Sequence, residues 1–342
     1  MNKTLFFAAS ALLTILEWSA ASPLSTGILP ALNIYQTIPY PIAFVAFTAT
    51  QRTAPSGLVG ENEPNWLSVE YQRGVMEPMT FGVINNQPAI IANEWLAIDK
   101  AFTYQRPDGG FIYAPTIAGV VQPPTQEPSN DAFFLAETVT PFLLLSQNQV
   151  TAPTFLARLQ AQLPALARAL KFLEQPSSIC AMEQNDTKAT NRLTIDAKAL
   201  LLNGLLLQDS NALTEGQFLV AQVLGAQNSD GVFPENGGYD SSYQAVSLLK
   251  LCELYVFDPE SGVLSGLKQG FAWEGTRILP TGQISTAGNS RIGAGETYFG
   301  TVKTVNYPEA IRAFALFGAI TGDNSYTATS LLISKYYSAN QN

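Results

Sequence analysis

The chain has 342 residues, 46% of them hydrophobic and 13% charged, so it can bury a large core and is not a disordered protein. Eighteen basic against 27 acidic residues give a formal net charge of −9, which argues against nucleic acid as a partner, because duplex binding needs a basic footprint. Histidine is absent and only two cysteines occur, which excludes a His-dependent triad, a His-based zinc site and a Cys-rich metal site, so no metal or cofactor is expected.

In chain order, the first element is a targeting segment. Lys3 supplies a basic region, residues 4–16 are an apolar run, and Ser19, Ala20 and Ala21 are small residues suited to cleavage. Residues 1–21 therefore read as a signal peptide, and the protein is expected to be secreted, to the extracellular space or a periplasm. The run ends at Glu17 and is too short to cross about 30 Å of hydrocarbon, and no later segment is long and apolar enough, so no membrane span is expected in the mature chain.

Residues 22–91 are rich in Pro, Gly, Thr and aromatics and read as an extended or irregular segment packing on the main domain. Its short apolar runs at 42–47 and 79–84 have strand or cover-segment character. From residue 92 the pattern changes. Apolar-periodic stretches at 92–104, 131–147, 153–174, 190–208, 212–227, 240–257 and 307–337 predict helices, separated by turns rich in Gly, Pro, Asn and Asp. Residues 92–342 are thus expected to form a mostly α domain. Cys180 and Cys252 can pair in an oxidising compartment or stay as free thiols, and the sequon at Asn185 marks a polar surface loop.

Two turns share the form Gln-x-x-Asp-Gly-x-Phe, at 105–111 and 227–233, and 279–284 is a degenerate third. The glycines allow positive φ at a helix exit, the aspartates bond locally to backbone, and the Phe returns to the core. Helix, Asp-Gly-Phe turn, helix is a recurrence that resembles the hairpins of (α/α) toroids, complete or incomplete, a scaffold of many glycan-degrading enzymes and of terpenoid cyclases. No Asp-Asp-x-x-Asp diphosphate motif accompanies it.

Residues 190–251 carry a sharper likeness. Asn191-Arg192 opens a helix, Asp230-Gly-Val-Phe forms the turn, and Tyr243 follows at the start of the next helix. This order resembles toroid polysaccharide lyases of the hyaluronate and chondroitin lyase type, although the position of their catalytic histidine falls here near Asn236. A poly- or oligosaccharide substrate follows from the resemblance, with the oligomeric state left open.

Eliminative cleavage of a uronic-acid glycan needs a neutraliser for the carboxylate, a base for the C5 proton and an acid for the leaving oxygen. Tyr243 is the candidate for the last two roles, with Tyr239 the alternate. Asn236 or Asn191 is the carboxylate partner and Arg192 the electrostatic support. Against these stand plain structural roles: Tyr243 as a core aromatic, Asn191 as a helix cap, and Arg192 paired to Asp196 one turn on.

Glu235 and Asp240 flank the Gly237-Gly238 bend and offer a glycosidase's carboxylate pair, or else a loop bond and a helix cap. The glycine-rich stretch 287–303 holds Asn289, Arg291, Glu296, Tyr298 and Lys303, which suit a sugar subsite or a loop closed by an Arg291–Glu296 pair. Trp95, Trp273, Tyr113 and Phe111 are candidate stacking faces or core residues. A catalytically silent glycan-binding toroid is the remaining alternative.

Overall fold

Proline, aspartate and glycine punctuate the helices of this chain. Pro88, Pro128, Pro153, Pro176 and Pro308 occupy first-turn positions, where the missing N–H costs nothing. Asp209, Asp240 and Asp323 cap later helices by accepting backbone N–H groups. The computed structural model describes residues 31–48, 53–117, 119–259 and 262–340. The expected signal peptide, 1–21, lies outside the described residues.

The helices are α1 (Ala31–Gln36), α2 (Tyr40–Thr48), α3 (Met76–Ile84), α4 (Pro88–Phe102), α5 (Glu127–Gln147), α6 (Ala152–Leu173) and α7 (Pro176–Asp186). They continue as α8 (Thr190–Leu207), α9 (Ser210–Ala226), α10 (Ser241–Phe257), α11 (Val263–Arg277), α12 (Tyr307–Thr321) and α13 (Asn324–Ala339). Two small antiparallel hairpins interrupt them, β1 (Thr116–Ile117) with β2 (Val120–Val121) and β3 (Thr297–Tyr298) with β4 (Thr301–Val302).

Contacts among the helices close a ring. α2 touches α3, α3 touches α5, and the chain of neighbours runs on through α8, α10 and α12 back to α2. Outside it, α4, α6, α9, α11 and α13 each lie on the ring helix that precedes them. Among the described residues the result is an (α/α) toroid of six inner helices and five outer ones, with 3₁₀ turns at Gly60–Asn62 and Val69–Val75 between α2 and α3. The apolar core lies within and between the two layers.

The ring is closed at one end. α1 touches four ring helices, α3, α5, α10 and α12. It is pinned by Leu32 N donating to Gln147 Oε1 at 3.0 Å and Gln36 Nε2 donating to the Ile84 carbonyl at 3.2 Å, so it plugs the C-terminal ends of α5 and α3. The opposite end carries the repeated turns. In each, the glycine donates to the carbonyl three residues back, Gly109 to Arg106, Gly231 to Asn228 and Gly282 to Leu279. Each glycine has positive φ and abuts a backbone carbonyl of the next outer helix, at Arg168, Gln269 and Leu332. The third copy, degenerate in sequence, thus has the same geometry as the first two. Because each turn leads from an outer helix towards the next inner one, all three stand on one rim.

Several expectations are corrected. Segments 42–47 and 79–84 are helical, not extended, and supply α2 and α3 to the ring. The periodic stretch 307–337 is two helices, broken where Gly322 adopts a left-handed conformation. Asn185 of the sequon sits in the last turn of α7 and donates its amide to the Thr125 carbonyl, so it is not in a loop. Cys180 and Cys252 are free thiols, the first on the exposed side of α7 and the second buried in α10. Among the described residues, no helix is long and apolar enough to cross a membrane.

Candidate active site on the toroid rim

The bend that enters α10 organises one side of the rim. Asp240 is the N-cap: its Oδ1 accepts from Ser242 N at 3.0 Å and Tyr243 N at 3.2 Å. Its Oδ2 accepts from Arg291 N at 3.1 Å and Ile292 N at 2.7 Å, which ties the glycine-rich loop to the helix end. Asn289 adds a second tie, accepting from Ser241 N at 3.1 Å. With the loop anchored there, Arg291 lies over the Tyr243 ring with 4.0 Å from its guanidinium carbon to the ring centre.

Five polar side chains then converge. Arg291 grips Glu296 with two nitrogens, Nε to Oε2 at 3.0 Å and Nη2 to Oε1 at 2.6 Å, a fork-to-fork pair. Its third nitrogen binds Glu235. Lys303 Nζ reaches Glu296 Oε1 at 2.9 Å and donates to the Tyr243 hydroxyl at 3.0 Å. The same hydroxyl lies 3.2 and 3.4 Å from the two Glu296 oxygens.

Burial and charge set the protonation of these groups. Burial is the largest influence on Glu235; it overcomes the Arg291 contact and pushes the carboxyl up to about 7. Burial also acts to raise Glu296, but hydrogen bonds from Arg291 and Lys303 prevail and hold it below the ordinary carboxylate range. Two carboxyls on one guanidinium are thereby driven apart, one towards the acid form and one towards the anion. Tyr243 is raised by burial, with the Arg291 charge working the other way and Glu296 adding to the rise. Asp240 is raised by burial despite its backbone donors.

The hairpin β3–β4 crosses from this cluster towards the 3₁₀ turn before α3. Phe299 and Gly300 both take positive φ at its tip, a two-residue turn suited to the twist of a hairpin. Phe299 meets Tyr71 edge to face with ring centres 6.1 Å apart, and Tyr298 hydrogen-bonds Tyr71. Burial pushes Tyr298 up to about 12.

Arg192 takes its partners outside the Tyr243 cluster. It pairs with Asp186 rather than with Asp196 as its main partner, and its guanidinium lies over the Phe133 ring, 4.8 Å from the ring centre. Asp196 is raised well above the ordinary range by burial, with the neighbouring Asp186 adding to the rise. Asn191 is buried in the first turn of α8, and its side-chain oxygen has no hydrogen-bond partner among the described residues. Asn236 is exposed, in a left-handed conformation, with its backbone N–H donated to Lys188.

Tyr239 donates to the Ala287 carbonyl at 3.2 Å and packs edge to face on Trp273, so it braces the loop. Trp95 and Phe111 are core residues, and Tyr113 donates to the Pro123 carbonyl. The structure thus brings together Tyr243, Glu235, Glu296, Arg291 and Lys303, with Asp240, Asn289 and Tyr239 beneath them as framework.

Sequence reasoning missed a set of charges on the toroid axis. Lys198 of α8 contacts Glu253 at 2.5 Å and Glu137 at 3.7 Å, and Lys250 of α10 contacts Glu137 at 2.7 Å and Glu253 at 3.3 Å. Arg312 of α12 reaches Glu77 of α3 at 2.8 Å across the same interior. The only signal in the sequence was lysine inside otherwise apolar helical stretches, with partners 55 and 113 residues away. Two clefts, one between α4 and the 55–57 segment and one between α2 and α13, contain none of the rim cluster. Among the described residues, no group of three or more His, Cys, Asp or Glu could hold a metal ion.

No protein-family model and no curated relative matches the chain. Among solved structures, the crystal structure of a D-mannose isomerase is similar with a TM-score of 0.49 and 13% identity, covering 90% of this chain and 86% of that one.

Proposed function

We propose that the protein is a secreted glycan-cleaving enzyme, a polysaccharide lyase that acts by β-elimination at a uronic-acid residue. The observation that carries this reading is the position of the Tyr243 hydroxyl, 3.0 Å from Lys303 Nζ and on the edge of a carboxylate cradle built from Arg291 and Lys303. Elimination needs those parts together. The cradle neutralises the sugar carboxylate, which acidifies the C5 proton. Tyr243, which must ionise against the rise that burial imposes and is supported in this by the charges of Arg291 and Lys303, takes that proton. The C5–H pair becomes the C4–C5 double bond, the C4–O4 bond breaks, and the tyrosine proton passes to the leaving O4.

Asp240 does not suit the hydrolase alternative, because both its oxygens are occupied by backbone N–H groups. A second reading has its own support. Glu235, raised to about 7, and Glu296, held low, have the opposed protonation of a glycosidase's acid and base.

The test is a screen of purified protein on uronic-acid and neutral polysaccharides, reading both ultraviolet absorbance of an unsaturated product and new reducing ends. Lyase action gives both signals, with an optimum at neutral to alkaline pH, and Tyr243→Phe abolishes turnover with little change in binding. Reducing ends alone, lost in Glu235→Gln, would transfer the assignment to hydrolysis. Binding without turnover in the wild type would leave a glycan-binding toroid.

A further inference from the structure

Glu296 is bound as a ligand is bound. Two Arg291 nitrogens, Lys303 Nζ and the Tyr243 hydroxyl all meet one carboxylate, at 2.6 to 3.4 Å. The number of donors exceeds what an exposed ion pair normally assembles, and the fork of Arg291 is used in full. Arg291 is itself fixed: its backbone N–H is held by Asp240 and its Nη1 by Glu235, so the guanidinium fork does not depend on Glu296 for its position. Glu296 by contrast begins the hairpin β3–β4, whose residues Thr297 to Val302 are exposed on the rim.

We infer that the Glu296 carboxylate occupies the subsite of the substrate's uronate carboxylate, so that the hairpin acts as an internal competitor that a uronic acid must displace. The inference rests on the lyase reading for its chemistry and adds the regulation of that site. A uronate carboxylate set in place of the Glu296 carboxylate keeps the Arg291 fork. Its C5 carbon then takes the place of the glutamate Cγ, one bond from the carboxylate carbon. A neutral sugar has no group that satisfies the two cations and leaves Glu296 seated.

The experiment uses the full chain, wild type, Glu296→Gln and Glu296→Ala, titrated with glucuronate and with glucose at low ionic strength by calorimetry or NMR. Removing the competitor is expected to tighten glucuronate binding by about tenfold or more, about 1.4 kcal/mol, with no gain for glucose. Unchanged or weaker glucuronate binding in both variants, or an equal gain for glucose, overturns the inference. Hydrogen exchange on the wild type supplies a readout that needs no variant: glucuronate should lower protection across 296–303, and unaltered protection at saturation counts against displacement. These outcomes are independent of turnover. Competition by Glu296 without cleavage of any uronic polymer leaves the inference standing and removes the lyase reading, whereas cleavage with unaltered affinities does the reverse.

Discussion

A single arginine decides most of the chemistry at the rim, because Arg291 holds Glu235 and Glu296 at once and lies on the Tyr243 ring. Glu235 has the clearest consequence. Its carboxyl moves from 4.5 to about 7 on folding, chiefly through burial. Between those values the folded chain keeps a proton that the unfolded chain has released, so stability falls as pH rises through the window, by roughly 3 kcal/mol over the full titration. Glu235→Gln should remove that slope. Thermal melts from about pH 5 to about pH 8 should show the wild type losing stability and the variant losing clearly less; parallel curves would mean that Glu235 does not titrate there. The sequence made the Arg291–Glu296 pair legible because its members lie in one short loop, and Asp240 legible as a cap because it precedes a helix. The bond from Arg291 to Glu235 joins residues 56 apart and leaves no local trace. Arg192 was assigned Asp196 by helical spacing, yet Asp186 at the end of α7 approaches it more closely.

At the scale of elements, the recurring turn is the part of the fold most readable in advance, since glycine and aspartate at fixed offsets have few other uses. Its glycines do more than permit a left-handed backbone. A Cβ at Gly231 would stand 2.3 Å from the Gln269 carbonyl oxygen, whereas one at Gly237 meets nothing within 4 Å, although both residues have positive φ. Gly237→Ala should therefore cost only the conformational strain, about 1 kcal/mol, and Gly231→Ala about 3 kcal/mol or more because α11 must shift. Denaturation midpoints of the two variants compare these directly, and equal losses would dismiss the close approach as the reason for the glycine. Helices α2 and α3 were not legible because both are short and apolar almost throughout, so neither period stands out. Helix α7 is mainly polar and α11 carries glycines at 266, 270 and 275, and both escaped a search for continuous apolar periodicity.

For the whole molecule the controlling feature is that the toroid has no open axis. α1 plugs one end, and between that plug and the rim the inner helices are joined by buried charges: Glu137 on α5, Lys198 on α8, and Lys250 with Glu253 on α10. Under the proposed function, a substrate would therefore meet the molecule at the rim, where the Tyr243 cluster and the two hairpins stand. The toroid as a class was legible from helix lengths and repeated turns, but the axial charges were not, since each lysine sits in a stretch that reads as plain core until the ring brings its partners from other helices. Two lysines and two glutamates balance, so the lattice is neutral as a unit and costly when broken. Lys198→Met leaves Glu253 buried without its nearest cation and should cost about 3–5 kcal/mol, lowering the melting temperature by several degrees. Adding Glu253→Gln removes the stranded charge and should recover part of the loss, although Lys250 then depends on Glu137 alone. A double-mutant cycle should accordingly return a coupling of about 1 kcal/mol or more between positions on neighbouring ring helices. Strict additivity would mean that α8 and α10 are held by apolar packing alone and that the charges are merely tolerated there.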